Sequence, residues 1–282
     1  MRRKFLITLG YISFFIFAFL FSLYLTFDPG QIKAWLGNKA NKIGINLDIS
    51  RLDKYRLTGV RARGVTIKTK GGQTIKIDQV KARLSLLPLI IGRKKIGIQL
   101  AMSEGKFSGK FEPSSRGYKT KFKVQKINLA NLPLGNQGGF WISAPISGKG
   151  NLNLTPKDNP RAWSGKIHTE LGPGKIPSFN YRGFNVPEVK VDQAKLDLEL
   201  NNGNAQIKSL ELLSPDFPLQ GNGQIELRAP IQNSLLQLSA KVNPSQQYLG
   251  QIPMLQSLLP SDRTVTYRGT IAGIISGIIS GY

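Results

Sequence analysis

The stretch Tyr118-Lys119-Thr120-Lys121-Phe122-Lys123-Val124-Gln125 decides the fold class. Tyr118, Thr120, Phe122 and Val124 alternate strictly with Lys119, Lys121, Lys123 and Gln125. Successive side chains of a strand point to opposite faces, so a period of two gives one apolar and one wet face. The pattern recurs along the chain. Val80, Ala82, Leu84 and Leu86 alternate with Lys81, Arg83 and Ser85, and Ala194, Leu196, Leu198 and Leu200 with Lys195, Asp197 and Glu199. Ile225 and Leu227 alternate with Gln224, Glu226 and Arg228, and Leu236, Leu238, Ala240 and Val242 close the series. Gly71-Gly72, Asn201-Asn202-Gly203-Asn204 and Gly221-Asn222-Gly223 read as turns between strands. The expectation is a mostly β, antiparallel domain over 45–282, with no βαβ rhythm. Glycine recurs near strand starts (Gly109, Gly148, Gly165, Gly221, Gly269), which predicts a meander whose rungs enter through glycine bends.

Ahead of the strands lies a run of another kind. Phe5 to Phe27 is 23 residues long, uncharged and almost wholly apolar. A helix rises about 1.5 Å per residue, so roughly 20 such residues cross a hydrocarbon core about 30 Å thick. Arg2, Arg3 and Lys4 precede it and are expected to hold the amino end in the cytoplasm. A cleaved signal peptide has an apolar core of about 7–15 residues and a small-x-small site. Ser22-Leu23-Tyr24 offers no such site, so residues 1–27 read as an uncleaved single-pass anchor.

Between anchor and strands, 28–44 reads as a short amphipathic helix. Asp28-Pro29 is a helix start, Ile32, Trp35, Leu36, Ala40 and Ile43 recur at helical spacing, and Gly44 is a stop. Its lysines suit a membrane surface, and capping the following β-structure suits the pattern equally. A second amphipathic segment opens at Asn243-Pro244 with Tyr248, Leu249, Ile252, Leu255, Leu258 and Leu259, and Pro253 is expected to break it. It either covers an open end of the sheet or fills a core. The tail carries Gly273, Gly277 and Gly281 in two G-x-x-x-G steps, but the run is too short to span a membrane and reads as a last strand or frayed end.

The formal net charge is +23, unevenly spread. Residues 1–130 hold 26 Lys+Arg against 6 Asp+Glu, and residues 131–282 hold 13 against 10. A basic surface attracts phosphates, and behind a membrane anchor the expected phosphates are those of anionic lipid rather than nucleic acid. Individually, most of these lysines read as the solvated face of a sheet.

Residues that carry chemistry are scarce. There is no Cys, and His168 is the only His, so no usual zinc site can form. No Gly-x-Ser-x-Gly elbow, Walker loop, dinucleotide fingerprint or calcium loop is present. The chain is expected to be non-enzymatic, with no cofactor and no metal.

The order of features over residues 1–130 resembles the amino end of AsmA-like envelope proteins. The anchor and short helix lead to Leu57-Thr58-Gly59-Val60, Gly64-Val65-Thr66-Ile67 and Ile75-Lys76-Ile77-Asp78-Gln79-Val80. Then come Ala82-Arg83-Leu84-Ser85-Leu86-Leu87-Pro88-Leu89, a basic turn, and Glu104-Gly105-Lys106-Phe107-Ser108-Gly109. With Tyr267-Arg268-Gly269-Thr270-Ile271 near the end, the chain more closely resembles the N component of type II secretion (the GspN type). The Gly/Ile-rich tail departs from the family pattern. The resemblance implies an inner-membrane protein with its body in the periplasm and a curved, groove-like sheet. It implies an accessory part in the secretion machinery, acting on other envelope proteins, or alternatively the holding or transfer of lipid. In the second case Val80, Ala82, Leu84, Leu86, Phe122, Val124, Leu196, Leu198, Leu200, Ile225 and Leu227 would line an apolar groove for acyl chains.

Overall fold

The computed structural model describes residues 28–42, 44–68, 74–85, 88, 92–114, 117–131, 142–155, 160–181 and 184–273. The anchor expected over 1–27, Leu86, the Gly71-Gly72 turn and the tail from residue 274 on, with Gly277 and Gly281, lie outside these residues. Among the described residues no helix is long and apolar enough to cross a membrane. The chain separates into two compact units, 1–100 and 101–282, within the span read from sequence as a helix and one β domain.

In the first unit, α1 (Pro29–Lys42) begins where Asp28 Oδ1 accepts from the Gly30 N–H at 2.8 Å. It ends as the glycine predicted: Gly44 takes φ 76°, and the Gly44 and Ile45 amides donate to Asn41 O and Ala40 O. This double bond satisfies carbonyls that a helix end otherwise leaves open. Ile32, Leu36 and Ala40 are half-buried, whereas Trp35 is 59% exposed with the Lys39 ammonium 6.0 Å from its ring. β1 (Asn46–Tyr55), β2 (Gly59–Lys68) and β3 (Thr74–Leu84) follow as an antiparallel meander. Ile49, Val65 and Ile77 form one buried cross-strand row, while Ala62, three residues from Val65, is buried in another. Between them Gly64 takes φ 58°, and its carbonyl accepts from Ser50 Oγ. β4 (Ile96–Met102) carries the chain onward.

The second unit is built on β5 (Gly105–Ser114), β6 (Gly117–Asn128), β7 (Pro145–Leu154), β8 (Ser164–Leu171), β13 (Gln193–Asn201), β14 (Asn204–Leu213), β15 (Leu219–Glu226), β16 (Leu235–Val242) and β17 (Thr264–Thr270). They stand in one antiparallel sheet in that order, so the mostly β, antiparallel class holds. Between β8 and β13 the chain makes two small pairs, β9 (Gly174–Ile176) with β12 (Val189–Val191) and β10 (Phe179–Tyr181) with β11 (Phe184–Val186).

Asn201–Asn204 is the tight turn expected, with Asn202 at φ 47° and Gly203 at φ 83°. Two positive φ values in a two-residue loop match the twist of a hairpin. Gly221-Asn222-Gly223 is not a turn: it lies inside β15. A Cβ at Gly223 would stand 2.2 Å from Gln237 O, so glycine there lets β15 and β16 approach. The expected glycine bends are likewise corrected at Gly109, Gly148 and Gly269, all internal to strands.

The second amphipathic segment is two short helices, α2 (Gln246–Gln251) and α3 (Pro253–Leu258), broken where Pro253 was expected to break it. It starts two residues later than Asn243-Pro244 suggested, because Ser245 caps it by accepting from the Tyr248 amide. Tyr248 and Leu249 are buried; the Tyr248 ring lies 5.7 Å from Phe217 and its hydroxyl donates to Pro187 O. The hydroxyl's pKa is pushed up to about 12, first by burial and then by the Asp216 charge.

Candidate functional site: the apolar face of the second unit

Strand register decides which side chains share a face. In the second unit one row runs Phe107, Val124, Gly148, Thr169, Leu196, Leu210, Gly221, Ala240. The next runs Gly109, Phe122, Gly150, Ile167, Leu198, Ile207, Gly223, Leu238, Tyr267. The third runs Phe111, Thr120, Leu152, Gly165, Leu200, Ala205, Ile225, Leu236. Phe122, Val124, Leu196, Leu198, Leu200 and Ile225 therefore lie on one face. Leu227, just past β15, joins Leu200 and Ala205 in a buried cluster against which Leu152, Trp163, Ile167, Leu198 and Ile225 pack. Val80, Ala82 and Leu84 belong to the first unit, where Val80 pairs with Ala62 and Ala82 with Val60; all three are half-buried.

Two bulges keep this face apolar. Lys208 is an extra residue between Ile207, opposite Leu198, and Ser209, opposite Asp197. The register of β6 slips in the same way between Val124 and Ile127, at Lys126, whose φ is 49°. Each bulge returns the next apolar residue, Leu210 or Ile127, to the apolar side. At Gly109 and Gly150 neighbouring rings fill the space a side chain would take. A Cβ on Gly150 would lie 2.6 Å from Phe122 Cε1 and Cζ, so the Phe122 ring occupies the space that glycine leaves. The middle of the face stays only partly covered: Phe107, Phe122, Val124, Ile167, Leu196, Leu198 and Leu238 are half-buried rather than buried.

The sequence reading left out Phe107, Phe111, Ile167, Ile207 and Tyr267. Phe107 and Phe111 could have been found, because they alternate with Ser108, Lys110 and Glu112. Ile207 could not, because its bulge breaks the period.

The opposite face is polar and carries the only histidine. His168 Nδ1 stands 2.6 Å from Asp197 Oδ1, and Nε2 stands 3.1 Å from Glu170 Oε1. Ser209 Oγ donates to Asp197 Oδ2 at 3.1 Å, a bond the Lys208 bulge makes possible. Hydrogen bonds to Asp197 and then Glu170 raise the imidazole pKa above its ordinary 6.5, and the bond to His168 lowers that of Asp197. Both ring nitrogens lie within hydrogen-bond reach of carboxylates. Among the described residues no group of three or more His, Asp or Glu side chains is arranged to hold a metal ion.

In the first unit four cations, Arg51, Arg56, Arg61 and Lys81, have ring or carboxylate partners. The Tyr55 ring meets Arg61 at 4.7 Å, Lys81 at 5.5 Å and Arg56 at 5.6 Å, while Asp53 accepts from Arg51 Nε at 2.8 Å.

The fold and its site define a β-sheet protein whose larger sheet has one apolar and one charged face. No family model, no curated protein and no solved structure matches the chain.

Proposed function

We propose that this protein is a non-enzymatic component of the bacterial envelope that holds acyl chains against the apolar face of its second unit. In this reading it is anchored once in the inner membrane, with its body in the periplasm. The observation that carries the reading is the run of half-buried apolar side chains across β5, β6, β8, β13 and β16. An extended apolar face left partly in water is costly, at about 25 cal/mol per Å². An acyl chain laid on it gains about 0.8 kcal/mol per methylene buried.

The feature order shared with the N component of type II secretion supports a second reading, in which the same face docks envelope proteins of that machinery. The two readings are compatible.

The test is photocrosslinking of the full chain, in membranes, with a phospholipid bearing a diazirine at the end of one acyl chain. Adducts mapped by mass spectrometry on Phe122, Val124, Leu196 or Leu198 are expected, with none on Asn151 or Lys166 of the opposite face. Adducts confined to residues 1–27 would remove the lipid reading. Recovery of secretion components with the tagged chain would then leave the docking reading standing.

A further inference from the structure

The charged face of the second unit is not uniform. On β8, β13 and β14 opposite charges are matched: Lys166 and Lys208 reach Glu199 at 3.1 and 3.6 Å, and His168 lies between Asp197 and Glu170. On β5, β6 and β7 the matching is sparse: Glu112 stands directly opposite Lys119, and the Asp197 pKa, lowered first by the bond to His168, is lowered further by the Lys149 charge. Lys119, Lys121 and Lys123 occupy three successive alternate positions of β6, with Lys110 directly opposite Lys121 and Lys149 directly opposite Lys123. All five are exposed, and none forms an ion pair with a described residue. Directly opposed side chains stand about 5 Å apart, and like charges there destabilise a sheet. The sheet carries the Lys110–Lys121 and Lys123–Lys149 pairs against their own repulsion, although acidic residues fit the same face, Glu112 on β5 itself and Glu170 on the neighbouring β8.

The make-up of the block says what kind of counter-charge suits it. It contains lysine and no arginine, so it offers mobile point charges and no planar fork for one fixed carboxylate or phosphate. This side of β5, β6 and β7 bears no aromatic ring, and thus no platform on which bases could stack. A spread, fluid array of anions matches five lysines on flexible stems. We infer that the β5–β7 lysine block is a docking surface for the phosphates of an anionic phospholipid bilayer. The inference goes beyond the acyl-chain reading, uses the opposite face, and stands or fails separately from it.

Because the chain has no Cys, a single introduced cysteine reports on one place. Ser108→Cys labels β5 directly opposite Lys123, and Asn222→Cys labels the same face on β15, outside the block. Each full-length labelled protein is reconstituted into phosphatidylcholine vesicles with or without phosphatidylglycerol, all carrying a lipid with a nitroxide on its headgroup. With phosphatidylglycerol, the label at position 108 is expected to be quenched several times more than the label at 222. The excess should vanish in phosphatidylcholine alone. It should also vanish in about 1 M salt, where charges are screened beyond about 3 Å. Each lysine near an anionic leaflet contributes about a fivefold preference, so losing three positive charges costs on the order of a hundredfold, and the reversal K119E/K121E/K123E should weaken the surface contact by more than that. The neutral pair K121Q/K123Q relieves like-charge repulsion, keeps the fold, and should still lower the quenching. Quenching at 108 that ignores phosphatidylglycerol, salt and these lysines would overturn the proposal. So would lysine-dependent binding of a fluorescent oligonucleotide or an acidic peptide without lipid-dependent quenching, which would assign the block to that partner.

Discussion

The packing of Phe122 over Gly150 makes a quantitative prediction about the apolar face. In Gly150→Ala the new Cβ would lie 2.6 Å from Phe122 Cε1 and Cζ, and 3.1 Å from Lys166 O. The ring must leave its place, and overpacking of this kind costs about 1–3 kcal/mol. In a Phe122→Ala background the obstacle is gone. There the added methyl should stabilise the strand, because glycine in a strand interior gives up about 0.5–1 kcal/mol relative to alanine. The two substitutions should therefore couple by more than about 1.5 kcal/mol, with Gly150→Ala changing sign between backgrounds. Urea unfolding of the full chain in mild detergent, followed by far-UV circular dichroism, measures all four corners of the cycle. A loss from Gly150→Ala that is the same with and without the Phe122 ring would refute the reasoning and shift the cause to the Lys166 backbone.

Leu200, buried to 8% exposure beside Ala205 and Leu227, should lose about 2–5 kcal/mol on replacement by Ala, seen as a lower denaturation midpoint with an unchanged slope. The His168 pKa is raised on folding, so its contribution is full below its unfolded value near 6.5 and is lost as pH rises through the higher folded value. Asp197 is lowered, so its share is present above its unfolded value and is lost as pH falls through the depressed one. His168→Gln should therefore be less stable than the parent near pH 5–6 and nearly equal to it well above neutrality. With the ring 34% exposed, screening keeps the difference below about 1 kcal/mol; a gap that widens with pH would contradict the assignment. Ser245→Ala removes the cap of α2 and should cost about 0.5–2 kcal/mol, read in the same unfolding assay.

Much of the molecule is local and could be read from the chain. The α1 boundaries follow from Asp28 and Gly44, which satisfy or end backbone groups within a few residues of themselves. The 201–204 hairpin follows from Asn202-Gly203, two residue types that readily take the positive φ required. The break at Pro253 follows from a missing amide hydrogen. Misreadings arose where a residue answers to a neighbour far along the chain. Gly221-Asn222-Gly223 resembles a turn by composition, yet its glycines serve the approach of β16, set by a register that no local window contains.

The same division holds for the two faces. The sequence by itself determined that each strand has an apolar and a charged side, because the pleat maps odd and even positions onto opposite faces. Only the tertiary structure decided which strands lie side by side, and hence that Phe122, Leu196 and Ile225 share a face. It also placed Ser209 beside Asp197 and set Lys121 opposite Lys110. Alternation is a property of one strand, whereas pairing and bulges depend on the hydrogen bonds of two.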